Sequence, residues 1–185
     1  MDTRTDMDIV ESVRGGDVDA FAELVARYSQ KVYALVCGIT GNAMEAEEIT
    51  QDTFIRVFDH LGQWRGTGGF QTWLYRIAYN AAVSSLRRRP HIDLMPLDEG
   101  RVGERAESEQ TWEVTESNMA AMERALAMMP ATERTALTLF YMEDKTIEQI
   151  AIITQRSRSN VKVILHRSRQ RLKKLMEEMN YEHGR

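Results

Sequence analysis

The stretch TIEQIAIITQRSRSNVKVILHRSRQRLKKLMEEM, residues 146–179, decides the fold of the C-terminal half of this chain. Thr146 and Gln149 form a T-x-x-Q capping box, which predicts the start of a short helix. A turn follows at residues 154–157, and apolar residues then recur every three or four positions from Val161 to Met179. The stretch therefore predicts a short helix, a tight turn and a long amphipathic helix, which is the arrangement of a helix-turn-helix.

Positive charge is concentrated in the same stretch. Residues 154–176 contain eight Lys and Arg and no Asp or Glu, although the whole chain has a net charge of −4. Phosphate binding depends on the local potential, so the basic stretch favours nucleic-acid binding despite the acidic average. A basic helix that is merely solvated, or that packs on an acidic partner, is the alternative interpretation.

The helix-turn-helix pattern assigns a role to particular residues. Ala151 supplies the small side chain needed where the two helices cross, and Val161 supplies an apolar anchor early in the second helix. The residues predicted to face the major groove, where such side chains read base edges, are Arg158, Ser159, Asn160 and Lys162. The residues predicted to contact phosphates are His166, Arg167, Arg169 and Arg171.

Helical periodicity also accounts for most of the remaining chain. Apolar spacing predicts helices beginning at Asp17, at Asn42 and near Phe70, with a glycine-bearing loop at 62–69 and Gly38 and Gly41 ending the first helix. Residues 90–113 are rich in acidic side chains and show no periodicity, so we interpret them as a linker. The predicted fold is all-α, with two small helical domains at 1–89 and 114–185 joined by this acidic linker.

Two further patterns in the N-terminal half leave alternatives open. The helix near Phe70 combines aromatic and basic side chains, a mixture that grips single-stranded nucleic acid, although Phe70 and Trp73 also have the spacing of core residues. The helix after Asn42 carries a run of acidic side chains that is either a solvated face or a docking surface for a partner.

Composition excludes several classes of protein. With one cysteine, Cys37, the chain cannot form an internal disulfide, and with only four histidines beside it a Cys/His zinc site is not expected. No apolar run is long enough to span a bilayer, and the N-terminus lacks the apolar region of a signal peptide. We therefore expect a cytoplasmic protein without direct membrane insertion. No catalytic or nucleotide-binding motif is present, so we expect no enzyme activity, cofactor or metal.

Three segments together resemble the extracytoplasmic-function sigma factors of bacterial RNA polymerase. They are EAEEITQDTFIRVF (45–58), FQTWLYRIAYNAAVSSLRRR (70–89) and IEQIAIITQRSRSNVKVILHRSRQRL (147–172), in the order that the family has them. The W-L-x-R-I-A-x-N pattern at 73–80, followed by the arginine run, is the most specific part. The resemblance implies a promoter-specificity subunit of RNA polymerase.

The resemblance also implies which residues meet which partner. The residues implied to dock on the clamp helices of the polymerase's largest subunit are Glu48, Gln51, Asp52 and Arg56. Those implied to open the minus-ten element and hold its non-template single strand are Arg65, Phe70, Trp73, Arg76, Tyr79, Asn80, Arg87 and Arg88. Those implied to read the minus-thirty-five element as duplex are Arg156, Arg158, Ser159, Asn160, Lys162, His166, Arg167 and Arg169. Family members are often held inactive by an anti-sigma factor, so such a protein is a further candidate partner.

The chain departs from the family pattern at the turn of the helix-turn-helix. Thr154-Gln155-Arg156 stands where the family usually has Leu-Gly-Ile, and the missing glycine predicts a left-handed residue or a reshaped turn. Arg156 is then expected to point at DNA, and Ile164 replaces an arginine that often contacts phosphate. These differences bear on which minus-thirty-five sequence is recognised. They bear less on the function itself.

Two other functions compete with this interpretation. An autonomous helix-turn-helix regulator with a ligand-sensing N-terminal domain would need an apolar pocket and would act without polymerase, and the 70–89 pattern argues against it. A helical nuclease or hydrolase would need a catalytic motif, and the sequence offers none.

Overall fold

The computed structural model describes residues 4–66, 68–88 and 116–183, with the side chains of 116–120 and 180–183 left out. The described residues form eight α-helices and no strand. The helices are α1 (Asp6–Arg14), α2 (Phe21–Thr40), α3 (Ala43–His60), α4 (Phe70–Arg88), α5 (Glu116–Met128), α6 (Ala131–Leu137), α7 (Ile147–Thr154) and α8 (Arg158–His183). The prediction of an all-α fold is confirmed, and the predicted linker at 90–113 lies outside the described residues.

Helix α1 is an element that we did not predict. Thr5 caps it, because the Thr5 hydroxyl accepts from the Asp8 backbone N–H while the Asp8 carboxylate accepts from the Thr5 N–H. This reciprocal pair is a capping box with Asp in place of Glu or Gln. Ile9 and Val10 are completely buried, so α1 is part of the N-terminal core.

Helices α2, α3 and α4 form the rest of the N-terminal half. Asp17 caps a 3₁₀ turn at Val18–Ala20 that leads into α2. The prediction that Gly38 ends α2 is wrong, because the helix continues to Thr40 and ends where Gly41 takes the left-handed conformation. A single glycine inside a helix costs only about 1 kcal/mol, which long-range packing offsets. The predicted cap at Asn42 is confirmed, since its side chain accepts from the Glu45 N–H.

Helices α5 to α8 form the C-terminal half. Thr146 and Gln149 make the predicted capping box at the start of α7. A π-helical turn at Thr138–Met142 follows α6 and leads into the loop before α7. The predicted apolar face of α8 is confirmed, since Val161, Leu165 and Ser168 are buried against the other helices.

The two halves pack against each other. Helix α6 contacts α2, and α7 contacts α4. Buried side chains from the C-terminal half, such as Leu139 and Ile150, belong to the same apolar cluster as Leu35 and Leu74 of the N-terminal half. In addition, the Arg134 guanidinium donates to the backbone carbonyl of Gly38. The described residues therefore share one main core that spans both halves, with a smaller apolar cluster between α5 and α8, and the main core brings the candidate functional surfaces close together.

Candidate docking and nucleic-acid surfaces

The outer side of α3 forms a continuous exposed surface. Ile49, Thr53 and Val57 are buried against the core, which leaves the opposite side of the helix in solvent. All four predicted docking residues lie on this exposed side, and Ile55, with 60% of its surface exposed, lies among them. We call this surface the α3 face, and its members are Glu48, Gln51, Asp52, Ile55 and Arg56.

A hollow of about 540 Å³ lies between the α3 face and the C-terminal end of α4. Glu48 and Asp52 line one side of it, and Ser85 and Arg88 line the other. The hollow thus joins two predicted docking residues to Arg88, which we predicted to contact the minus-ten element.

Aromatic side chains anchor the loop before α4. The Trp64 ring stacks on Trp73, with centroids 6.4 Å apart, and meets Phe70 edge-on at 5.6 Å. Phe70 is only 2% exposed and also contacts Tyr28. The prediction that Phe70 contacts DNA does not fit this arrangement, because its ring is a core residue. Trp73 is half-buried and keeps one side accessible.

The basic residues around α4 remain at the surface, whereas two predicted base contacts do not. The four arginines predicted to contact the minus-ten element are all exposed: Arg65, Arg76, Arg87 and Arg88. Tyr79 is 7% exposed, and the Asn80 side-chain oxygen accepts from Gln155 Nε2 at 2.8 Å. In this structure Tyr79 is therefore buried, and the half-buried Asn80 is bonded to Gln155 of the C-terminal half.

The predicted helix-turn-helix is present in α7 and α8. Ala151 packs against the core and Val161 is buried, as the pattern requires. Gln155 takes the left-handed conformation, with φ 55° and ψ 40°, so the missing glycine has the predicted consequence. Ser157 then caps α8, because its hydroxyl accepts from the Asn160 N–H at 3.1 Å.

The start of α8 exposes three of the predicted groove residues. Arg158, Ser159 and Lys162 are exposed, and Arg158 lies 3.5 Å from the Glu148 carboxylate of α7. Asn160 is half-buried, and its Oδ1 atom has no hydrogen-bond partner among the described residues. Arg156 is also half-buried, and its Nε is buried without an acceptor in the described part of the chain.

Further along α8, the predicted phosphate contacts meet other parts of the protein. His166 and Arg167 are half-buried. Arg169 is exposed, but its Nε donates to the Tyr141 hydroxyl at 2.7 Å and its guanidinium lies over the rings of Phe140 and Tyr141. Arg171 pairs with the buried Glu133 at 2.8 Å. Ile164 is buried, which explains why an apolar residue is tolerated there.

A cleft of about 570 Å³ between the halves brings the two sets of predicted DNA contacts together. Tyr79, Asn80 and Arg87 line it from α4, and Gln155 and Arg156 line it from the turn. The cleft therefore places three predicted minus-ten residues near one predicted minus-thirty-five residue, Arg156.

A polar cluster that the sequence did not indicate joins the halves. The completely buried Tyr75 donates to Glu143 Oε2 at 2.6 Å, and Lys145 Nζ donates to Gln71 Oε1 at 2.7 Å. Burial, then the hydrogen bond to Glu143, raises the pKa of the Tyr75 phenol. Burial lowers the pKa of the Lys145 ammonium, which is 8% exposed. We call these four residues, Gln71, Tyr75, Glu143 and Lys145, the inter-half cluster.

Neither a metal site nor a membrane span emerges from the described residues. Within 4–66, 68–88 and 116–183, no group of three or more His, Cys, Asp or Glu side chains could hold a metal ion. No helix in those ranges combines the length and the apolar character needed to cross a membrane.

Comparisons with known proteins match both halves. The family model Sigma-70 region 2 matches residues 24–91, and Sigma-70, region 4 matches residues 119–172. RNA polymerase sigma-H factor of Pseudomonas aeruginosa is 36% identical over 81% of this chain and 82% of its own length. The ECF RNA polymerase sigma-E factor of Escherichia coli K12 is 32% identical over 80% of this chain and 82% of its own.

Solved structures share the fold at low sequence identity. CnrH in complex with the cytosolic domain of CnrY has a TM-score of 0.66 and 18% identity, over 92% of this chain and 96% of its own. The sigma factor RpoE of Bartonella quintana, in complex with the anti-sigma factor NepR, has a TM-score of 0.65 and 20% identity, over 85% of this chain and 96% of its own.

Proposed function

The chain belongs to the extracytoplasmic-function sigma factors of bacterial RNA polymerase, and we propose that it binds core polymerase through the α3 face and directs it to promoters through α4 and α8. Sigma factors are transcription initiation factors. In this proposal, α8 reads the minus-thirty-five element as duplex, and α4 with the loop before it opens the minus-ten element. Action on polymerase and promoter DNA would take place in the cytoplasm.

The α3 face carries the proposal for core polymerase. Its charged and amide side chains are all exposed, and an isoleucine lies exposed among them. An exposed apolar side chain rimmed by polar groups is typical of a protein-docking surface. The surface therefore fits a protein partner better than it fits a solvated acidic helix.

The start of α8 supports duplex readout. Arg158, Ser159 and Lys162 are exposed in the first turns of a helix that follows a tight turn. Side chains at the start of a recognition helix are those that reach base edges in the major groove. Arg169 and Arg171, by contrast, already contact Tyr141 and Glu133, so we propose phosphate contacts there only if those pairs break.

The distance between the two promoter elements requires the halves to separate. The positions for which the two elements are named differ by about 25 base pairs, which corresponds to about 85 Å of B-DNA at about 3.4 Å per base pair. A compact chain of 185 residues has a radius of gyration of about 16 Å, so the packed form cannot reach both elements. Residues 89–115, fully extended, could span up to about 90 Å, which is enough to connect separated halves.

A protein antagonist is part of the proposal. CnrH and the Bartonella quintana RpoE were each solved with a partner, CnrY and the anti-sigma factor NepR respectively. This chain shares their fold, and in its packed form Tyr79 is buried and Asn80 is bonded to Gln155 of the C-terminal half. An anti-sigma factor that held the halves together would keep those residues from DNA.

Co-elution with core polymerase tests the proposal. We expect the wild-type chain to co-elute with bacterial core RNA polymerase on a sizing column and Asp52→Lys to elute alone, because the substitution reverses a charge at the centre of the α3 face. Glu11→Lys is the matched control, since Glu11 is an exposed carboxylate that lies on α1 rather than on α3. Failure of the folded wild type to co-elute would contradict the proposal and favour an autonomous regulator.

A further inference from the structure

Among the described residues, the side-chain hydrogen bonds from helix α1 to the loop before α4 come from Arg14. The Arg14 guanidinium donates to the Leu61 carbonyl from Nη2 at 2.7 Å and from Nε at 3.2 Å, and it also donates to the Trp64 carbonyl. Helix α1 lies outside the region 2 match, which begins at residue 24. These contacts therefore connect an unassigned element to the loop that we propose to act in strand opening.

The two carbonyls bracket the start of that loop. Leu61 opens a 3₁₀ turn at Leu61–Gln63 at the end of α3, and Trp64 is the first extended residue after it. An arginine suits this position, because its planar fork can donate to two acceptors and its charge is favourable at the negative end of a helix. Lysine, a point charge on a flexible chain, would not hold both carbonyls in the same way.

Three glycines after Trp64 give the backbone at their positions few steric limits. Gly66, Gly68 and Gly69 have φ values of 76°, 81° and 77°, a conformation that side chains rarely adopt. Glycines carry more backbone freedom than other residues, so the position of this loop depends on what holds its ends. Packing of Trp64 on Trp73 and Phe70 holds one end, and Arg14 holds the backbone there.

Helix α1 is itself firmly anchored, so it can act as a support. Ile9 and Val10 are completely buried in the core. The Asp6 carboxylate pairs with Arg27 and accepts from the Tyr28 hydroxyl at 2.6 Å, and both partners belong to α2. Arg14 thus connects the loop to a helix that is fixed on the core.

We propose that Arg14 is a positioning residue for opening of the minus-ten element. It holds the Leu61 and Trp64 carbonyls so that the glycine loop and the start of α4 keep the geometry needed to capture a flipped base. Flipping a base costs a few kcal/mol of stacking, and a capture site offsets this cost only if it is already formed when the base arrives. The inference rests on the proposed function and adds a residue that neither family match includes.

The test measures strand opening separately from binding. Holoenzyme would be assembled from core polymerase and the full chain, and promoter fragments would be selected from a random duplex library by the wild-type holoenzyme. 2-Aminopurine placed in the non-template strand of a selected minus-ten element reports unstacking by its fluorescence. A second template carries the same sequence with a mismatched bubble, so that its strands are already separated.

We expect Arg14→Ala to slow the fluorescence rise on duplex by about tenfold, a change of about 1.4 kcal/mol in the barrier. On the bubble template, the Arg14→Ala variant should give the same 2-aminopurine signal as the wild type, because the strands are already separated. On duplex, the rate of the fluorescence rise for Arg14→Lys should lie between those of the wild type and of Arg14→Ala. Arg4→Ala is the control, since Arg4 also lies beside α1 but contacts Glu23 and Ser12 rather than the loop.

Two results would overturn the inference. One is wild-type opening of the duplex by Arg14→Ala, and the other is an equal loss on duplex and bubble, which would make Arg14 a structural residue only. Failure of the proposed function is a different result. In that case the wild-type holoenzyme would select no fragment or leave the selected duplex closed.

Discussion

Gln155 combines a local conformational cost with a long-range contact. Its left-handed conformation is one that a non-glycine residue adopts at a cost of roughly 1–2 kcal/mol. Its side chain, however, donates to Asn80 across the cleft between the halves. The absence of glycine from the turn is visible in the sequence, but the partner of Gln155 is not.

Gln155→Gly should stabilise the protein by about 0.5–1 kcal/mol, because relief of the left-handed strain outweighs an exposed hydrogen bond. The measurement is the midpoint of thermal unfolding, which should rise by a few degrees. Asn80→Ala is the matched control, since it removes the same hydrogen bond while leaving the Gln155 backbone strained. A lower midpoint for Gln155→Gly than for Asn80→Ala would contradict the strain argument.

Ionisation of the Tyr28 phenol makes the stability of the protein depend on pH in the alkaline range. Burial first, and then the hydrogen bond to Asp6, raises the pKa of its phenol. Above pH 10, where an ordinary tyrosine ionises, the unfolded chain therefore loses this proton while the folded protein keeps it. The stabilisation is complete below about pH 10 and is lost as the pH rises above that value.

We expect Tyr28→Phe to lower the free energy of unfolding by about 1 kcal/mol at pH 7, through loss of the bond to Asp6. Between pH 10 and 12 the variant should lose less stability than the wild type. Denaturant unfolding across this range checks both points. If the free energies of unfolding of the two proteins fell in parallel as the pH rose, Tyr28 would contribute nothing to the pH dependence.

At the scale of elements, α7 and α8 form a unit whose local signals agree. The Thr146 cap and the left-handed turn depend on neighbours in the sequence, so the pattern predicts them, and the Ser157 cap is equally local. The ion pair between Arg158 and Glu148 of α7 is less easily predicted from the sequence. Both side chains are exposed, and ion pairs of this kind contribute little to stability.

Arg158→Ala should weaken binding to a minus-thirty-five duplex by about 1–3 kcal/mol if Arg158 reads a base. Lys174→Ala is the matched control, because Lys174 is an exposed cation on α8 about 24 Å further along the helix. Fluorescence anisotropy with specific and scrambled duplexes measures the effect. An equal loss on both duplexes would make Arg158 a phosphate contact.

At the scale of the whole molecule, the inter-half cluster holds together two parts that we propose must separate. Tyr75 and Lys145 are both buried, and both depend on polar partners across the interface. A buried polar group that loses its partner costs more than the hydrogen bond itself contributed. Removing one carboxylate from the cluster should therefore favour the separated form.

Glu143→Ala leaves the Tyr75 hydroxyl without its carboxylate acceptor, and we expect the halves to separate. Small-angle scattering should then give a radius of gyration several ångströms above the roughly 16 Å of a compact chain. Asp144→Asn is the control, because it removes a charge from the next position without touching Tyr75. An unchanged radius in Glu143→Ala would show that the apolar core alone holds the halves together.

The sequence by itself determined most of the helices, the caps at Asn42 and Thr146, the helix-turn-helix and the family. Capping and amphipathic periodicity depend on residues within a few positions of each other, so these features are written locally. Surface assignments on α3 and at the start of α8 could also be predicted, because a helix with one apolar face leaves the other face in solvent. The helix α1 escaped prediction, although its Thr5–Asp8 pair was a readable signal.

Only the tertiary structure decided what the halves do to each other. The bond from Gln155 to Asn80 and the inter-half cluster join residues far apart in the chain. The hold of Arg14 on the loop is of the same kind, since its acceptors lie 47 and 50 residues away. No local pattern encodes such contacts, because they arise when several amphipathic faces are buried together, and their energy depends on which faces meet.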